Sequence, residues 1–281
     1  METNSKIHLS VKDYLVSGET FNLTYNEELD FLKTVPQPKE EDLHTYYESE
    51  EYISHTDEKR GVLSFLYQTV KKWSLNNKTN LIAKENNGVG SLLDVGAGTG
   101  DFLIAAKNNG WKVFGVEPNK NALKLASEKG IELESNLDKF VGNQFDVVTL
   151  WHVLEHIPNL EETVIKLSNL VKPNGTLIIA VPNFKSYDAK YYKEYWAAYD
   201  VPRHLWHFSK TSIEKIFANE FTLHKIKPMI FDSFYVSLLS EKYKIGNKFS
   251  LKAFWIGLKS NLSAKQSKEY SSHIYCFKKA K

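Results

Sequence analysis

A chain of 281 residues, 42% hydrophobic and 25% charged, holds enough apolar material for one large globular unit with additions. Its 36 Lys and Arg against 34 Asp and Glu leave a net charge of +2, without the basic excess of a protein whose main partner is a phosphate backbone. The start carries no apolar leader, no segment reaches about 18 uninterrupted apolar residues, and the single cysteine, Cys276, allows neither an intramolecular disulfide nor a cysteine-based zinc site; a cytoplasmic location is expected.

In chain order, "IHLSVKDYLVSGETFNLTYN" reads as two short strands joined by the turn signal Ser17-Gly18. The charged, Pro-containing stretch from Lys33 to Gly61 reads as linker and short helix, and a longer helical pattern follows through Val62, Leu66, Val70 and Trp73. From Ser91 strands and helices alternate. The apolar strands are "SLLDVG", "KVFGVEP", "IELES", "FDVVTL" and "TLIIAVPN", with helical stretches such as "GDFLIAAKNNG" and "NLEETVIKLSNLV" between them. Strands without a polar face imply a parallel sheet covered by helices on both sides. "FTLHKIKPM" and "SHIYCFKKA" supply two more strands. The expected fold is α/β, a doubly wound sheet of about seven strands with the last antiparallel. Residues 1–57 would form an N-terminal hairpin and lid, and residues 58–281 the main unit, with an aromatic cap over 184–210 and a helical insertion over 240–268.

In "LLDVGAGTGDFL" three glycines occupy alternate positions behind an apolar run that ends in an acid. A dinucleotide fingerprint would place its third glycine later, where Asp101 stands, and no G-K-[ST] follows for a phosphate loop. An acid at such a strand-to-helix turn repels phosphate and favours a ligand that carries an ammonium and a sulfonium. S-adenosylmethionine carries both.

These residues resemble the class I S-adenosylmethionine-dependent methyltransferases. Asp94, Gly96, Gly98 and Gly100 match that family's first motif, and Glu117 in "FGVEPN" matches its second. The resemblance implies that the backbone of Gly96, Ala97, Gly98 and Gly100 touches the methionyl part of the cofactor, while Glu117, beside Pro118, accepts hydrogen bonds from the ribose hydroxyls. By position, Asn136, Leu137 and Asp138 either hold the adenine or form a solvated loop. Leu150 and Trp151 either flank the adenine or sulfonium, an aromatic face attracting a cation, or pack in the core. His55, with Tyr46, Tyr47 and Tyr52, falls where relatives carry a lid over the methionyl end. Many relatives also begin with a cysteine-rich zinc module, and this chain has no thiols there, so a hairpin without metal is expected.

"WHVLEHIPN" spells H-x-x-E-H with His152, Glu155 and His156, which on a helix would place both histidines on one face. Following a buried strand, it is more similar to the E-x-x-E-H segment of ubiquinone-pathway O-methyltransferases, with His152 in place of the first acid. No metal site is therefore expected. His156 is either a base near the methyl group or a structural histidine. Beyond the fifth strand, Phe184, Tyr187, Tyr191, Tyr192, Tyr195, Trp196, Tyr199, Trp206 and Phe208 form either a cap over a flat or apolar substrate or a packed satellite cluster. Within it, "DVPRHLWHF" offers Arg203 to orient a substrate and His204 as a second candidate base. Later, Leu251, Phe254, Trp255, Leu258 and Leu262 form a helical stripe between lysines, suited to a cap or dimer helix and, less commonly, to a membrane surface.

The expected activity is methyl transfer from S-adenosylmethionine to an oxygen of a small, aromatic or apolar acceptor, by a monomer or homodimer. An RNA or protein methyltransferase and a non-catalytic cofactor-binding protein remain as alternatives. Nucleic acid is not expected as a partner, because the [DNS]-P-P-[FYW] segment of exocyclic-amine enzymes is replaced by "TLWH".

Overall fold

Ten strands and eight helices are seen in the computed structural model of the chain, which describes residues 6–39, 41–47, 62–246 and 250–280. The strands are β1 (Ile7–Lys12), β2 (Thr20–Asn26), β3 (Phe31–Val35), β4 (Ser91–Val95), β5 (Lys112–Val116), β6 (Phe145–Trp151), β7 (Val171–Pro182), β8 (Trp206–His207), β9 (Phe221–Pro228) and β10 (Ser272–Lys279). The helices are α1 (Val62–Glu85), α2 (Asp101–Asn108), α3 (Lys120–Glu128), α4 (Leu160–Leu170), α5 (Tyr187–Tyr192), α6 (Lys210–Phe217), α7 (Asp232–Ile245) and α8 (Leu251–Ser267).

The main sheet has the order β5-β4-β6-β7-β10-β9. Its first four strands are parallel, and β10 runs antiparallel to both neighbours. Leu92, Leu93, Val147, Val148, Ile178 and Ile179 are wholly buried, as unbroken apolar strands with both faces covered should be. The sheet has six strands instead of about seven, because "IELES" touches it only at a Val116–Glu134 bridge. Glu134 alone exchanges backbone bonds there, donating to the Gly115 carbonyl and accepting from Glu117. The chain winds outward from β4 to β5 and then returns across β4 to β6. A crevice therefore opens beyond the carboxyl end of β4.

The N-terminal segment goes further than a hairpin. Strand β3 extends it, and β8 completes a sheet ordered β1-β2-β3-β8 through the Leu32–His207 and Lys33–Trp206 pairs. The prolines at 36 and 38 made residues 33–35 of β3 read as linker, yet they lie outside the strand they follow. The aromatic segment packs as a second core. Tyr192, Trp196, Tyr199 and Val201 cluster with Val11, Phe21, Leu23 and Leu32 of the small sheet and with Val236 and Ile256 of α7 and α8. Its polar centre is Asp188, wholly buried, which accepts hydrogen bonds from Trp196 Nε1 and the Ser260 and Ser271 hydroxyls. The packed-cluster alternative thus describes most of these rings, which are spent on core rather than on a cavity.

Candidate active site

The glycine turn is shaped by backbone conformation. Gly96, Gly98 and Gly100 have φ of 72°, 54° and 77°, the left-handed region in which a Cβ is penalised. Gly96 and Ala97 donate to the Val116 carbonyl at 2.8 and 2.9 Å, which pins the turn to the end of β5. A Cβ on Gly96 would stand 2.4 Å from Val153 Cγ2, so the loop also rests on the turn after β6. At Gly98, by contrast, no described atom lies within 4 Å of the place a Cβ would take. From outside, Lys129 Nζ clamps the loop, donating to the Thr99 carbonyl and hydroxyl and to Asp101.

Glu117, at the end of β5, is buried. Its two oxygens accept from Gly98 N at 2.8 Å and Asn119 N at 2.9 Å. Each carboxylate oxygen retains a further lone pair, so a vicinal diol can be bound without displacing those bonds. Pro118 follows on the surface, and Asn136 caps a 3-10 turn at Leu137–Phe140, accepting from Asp138 N. Two residues earlier stands the Glu134 bridge that ties this loop to β5 beside Glu117.

Asp94 is buried at the end of β4 and accepts from the Thr149 hydroxyl at 2.6 Å. Burial pushes its carboxyl up to about 7, against the Thr149 bond and the charge of Lys78. That lysine, from α1, stands 4.3 Å above the Trp151 ring and faces Asp94 and Asp232. Burial lowers its ammonium below the usual range. Trp151 is also packed edge to face with Phe102 at 5.6 Å, so a cation on its face and a core contact coexist. Sequence reasoning missed Lys78 and Asp232, for neither stands in a motif. Leu150 is wholly buried, in the core cluster that also holds Val95, Leu154 and Ile179.

The H-x-x-E-H segment is not helical. His152 takes φ 58° directly after β6, and a 3-10 turn covers Leu154–His156, so the two histidines do not share a helix face. His152 lies between Glu155 (3.4 Å) and Asp232 (3.3 Å). Burial pulls its imidazole down, but the two carboxylates outweigh that and push it up to about 10. His156 points the other way and packs edge to face on His204, with ring centroids 4.5 Å apart. Burial, then the His204 charge, lower His156 to about 4. The carbonyl of Arg203 lies 3.1 Å from His156 Nδ1 and that of Ala198 lies 2.9 Å from His204 Nδ1. A carbonyl can only accept, which assigns a proton to Nδ1 in both rings, and His204 Nε2 faces the Asp200 carboxylate at 4.0 Å.

Glu155, His156 and His204 offer ligand atoms within 4.8 Å of one another. Beyond the His152 ion pair at 3.4 Å, no hydrogen bond among the described residues reaches either oxygen of the buried Glu155. One carboxylate and two imidazoles form a donor set that suits a divalent cation as well as a proton acceptor. The expectation of no metal site overlooked this set because His204 lies 48 residues beyond His156.

Arg203, expected to orient a substrate, is held within the protein. Its guanidinium is 1% exposed and donates to Asp13 (2.9 Å), Asp200 (2.7 and 3.0 Å) and the Tyr46 carbonyl (3.0 Å). These bonds lock the first hairpin to the segment that carries His204, whose carbonyl also accepts from Thr34 of β3. Tyr47 joins the cluster, its hydroxyl 3.1 Å from His156 Nδ1. His55 and Tyr52 lie outside the described residues. A groove of about 630 Å³, lined by Ser91, Lys112, Lys139, Asp146 and Lys172, opens at the amino ends of the strands, opposite to the end where open α/β sheets bind ligands.

A family model described as "methyltransferase domain" matches residues 67–221, more than half of the chain. The chain belongs to the class I S-adenosylmethionine-dependent methyltransferases. The ubiquinone biosynthesis O-methyltransferase of Azoarcus sp. (strain BH72) is 33% identical to this methyltransferase over 108 residues, 34% of this chain and 46% of that one. The demethylmenaquinone methyltransferase of Oceanobacillus iheyensis is 28% identical over 173 residues, 56% and 70% of the two chains. The chain thus spans about half the length of the first of these relatives. Among solved structures, a putative sarcosine dimethylglycine methyltransferase from Galdieria sulphuraria superposes with a TM-score of 0.52 at 12% identity, covering 76% of this chain and 86% of that one. Phosphoethanolamine N-methyltransferase 2 of Haemonchus contortus, bound to S-adenosyl-L-methionine, gives 0.50 at 19% identity over 73% and 53%. These likenesses establish the fold. The family's cofactor is S-adenosylmethionine, and the open backbone at Gly98, the free lone pairs of Glu117 and the acid at Asp94 fit it.

Proposed function

We propose that the protein transfers a methyl group to an oxygen of a small, apolar or aromatic acceptor. When bound, S-adenosylmethionine supplies a methyl on a sulfonium, so the leaving group is already activated. In this proposal the main chain of Gly96, Ala97, Gly98 and Gly100 cradles the methionyl part, and Asp94 attracts its positive charge. Glu117 accepts from the ribose, with Pro118, Asn136 and Leu137 at the adenine and the Trp151 face turned to cationic charge, where Lys78 now stands. A hydroxyl acceptor must lose a proton as the methyl arrives. The paired His156 and His204, each with Nδ1 held by a backbone carbonyl, support that assignment. His156, lowered to about 4, is a weak base and serves better to orient. The turn after β6, which carries His156, packs Val153 against Gly96, and this supports a histidine near the cofactor loop.

The two relatives' names, in ubiquinone biosynthesis and on demethylmenaquinone, support an acceptor with an aromatic, apolar body. The net charge of +2 speaks against RNA. The test is to incubate the full chain and methyl-deuterated S-adenosylmethionine with a cell extract, and to find labelled metabolites by mass spectrometry. A labelled methyl ether supports the proposal; label in RNA or protein alone, or none at all, rejects it.

A further inference from the structure

Helix α8 is built inside out. Its inward positions hold mostly small residues, with Ala253, Gly257, Ser260 and Ala264 buried beside Ile256. At Gly257 the fit is close enough that a Cβ would meet the Phe234 backbone at 2.9 Å. Its large apolar residues point to solvent: Leu251 is 70% exposed, Trp255 65%, Phe254 56% and Leu262 52%. A surface helix of a globular protein puts such residues inward. The stripe continues onto α7 and α1, where Phe254 packs on Phe234 at 5.2 Å and Trp73 meets the exposed Phe231 at 5.1 Å. Ile230 and Tyr235 are exposed beside them.

Along α8 the charge is of one sign, while on α7 lie Asp232 and the buried Glu241, which stands 3.6 Å from Lys252. From Gly246 to Lys268 the sequence holds five lysines and no acid, in a chain whose net charge is only +2. Lys252 and Lys259 reach over Tyr191 and Tyr187 along one flank of the stripe. Aromatic and aliphatic residues inside a basic border are what an anionic lipid surface attracts, through apolar burial and lysine contact with headgroups together. A second copy of this chain docked on the same face would set lysines against lysines. Among the described residues no helix is long and apolar enough to cross a membrane, so such contact would lie in the plane of the surface. Asp232, which begins α7, lies 3.3 Å from His152 at the end of β6. The face therefore borders the candidate active site.

We propose that the α7–α8 face docks the enzyme on an anionic bilayer, with Leu251, Phe254, Trp255 and Leu262 entering the boundary between headgroups and acyl chains. This goes beyond the methyl-transfer proposal and does not require it. The test is flotation of the full chain with phosphatidylglycerol-containing vesicles, against vesicles of phosphatidylcholine alone. The chain should float with the anionic vesicles and release at high salt. The double variant Leu251→Ser, Trp255→Ser should lose about tenfold or more of that binding. Because both side chains are exposed, the variant should keep its melting temperature and its affinity for S-adenosylhomocysteine. Absence of flotation at low salt overturns the proposal, as does equal flotation of the variant. Gel filtration that shows a dimer dispersed by the variant, without vesicle binding, also overturns it and assigns the face to a second copy.

Discussion

The two halves of the candidate site differ in how they are made. The cofactor half is a continuous turn and the end of the next strand, Asp94 to Gly100 and Glu117, held by backbone amides. The histidine half is assembled from Tyr47, Glu155, His156 and His204, brought together by the small N-terminal sheet and by a buried arginine. A backbone-defined site needs particular residues at fixed spacings, whereas an assembled one needs only that the fold converge. The first should therefore fail through ligand affinity and the second through stability.

Arg203 tests the second half most severely. Replacing it by Ala would leave Asp13, with a wholly buried side chain, and Asp200 without their shared cation. The loss of one partner from a buried pair costs about 3–5 kcal/mol, and urea unfolding should show a loss of that size. If the variant were as stable as the wild type but bound acceptor poorly, Arg203 would be a substrate contact and the contrast would collapse.

Glu117→Ala tests the first half. Two charge-assisted bonds to ribose hydroxyls are lost, so affinity for S-adenosylhomocysteine should fall by about 2–4 kcal/mol by calorimetry. Stability should change less, because Gly98 N and Asn119 N lie near the surface of the crevice and can turn to water. Unchanged affinity would remove Glu117 from the cofactor site.

The same contrast explains what could be read from the sequence. The strand alternation and the glycine motif are local, and they placed the sheet and Asp94, Gly96, Gly98, Gly100 and Glu117 at one crevice. "IELES" misled because an apolar alternation does not reveal whether a partner edge is within reach, and only Glu134 found one. Arg203 looked like a ligand contact because one of its two acids, Asp13, lies 190 residues away in sequence. Lys78 and Asp232 carry no motif at all; their role follows from where α1 and α7 are docked. The aromatic segment was ambiguous for a physical reason: the same rings serve a core or a cavity, and the surrounding elements decide.

Within the histidine cluster the expected effect is on turnover. His204→Gln keeps a side-chain donor for the Ala198 carbonyl but removes the imidazole Nε2, and should slow turnover about 100-fold. His156→Gln should cost less, since a base lowered to about 4 accepts a proton reluctantly. Steady-state kinetics on an acceptor found by the labelling experiment would compare them, with melting temperatures as control. If both variants keep most of their turnover, the cluster is not the proton acceptor, and alignment alone drives the reaction.

The smallest expected effect is a pH dependence at Asp94, and it tests whether the cofactor half works by charge as well as by shape. Burial holds the carboxyl up to about 7, so it is neutral below that pH and ionised above it. A raised acid binds its proton more tightly in the folded state than in the unfolded chain. Asp94 therefore takes stability away from the free protein as pH rises from about 4 to about 7, and not beyond. Cofactor binding should show the reverse trend. The positively charged sulfonium of S-adenosylmethionine favours the ionised carboxylate, so its affinity should rise by a few fold across pH 7, while S-adenosylhomocysteine, which lacks the sulfonium charge, should change less. Calorimetry of both ligands on either side of pH 7 would measure the difference, and Asp94→Asn should flatten it. Parallel pH profiles for the two ligands would mean that Asp94 does not sense the sulfonium, leaving it to bind the ammonium that both ligands share or to hold Thr149 in place.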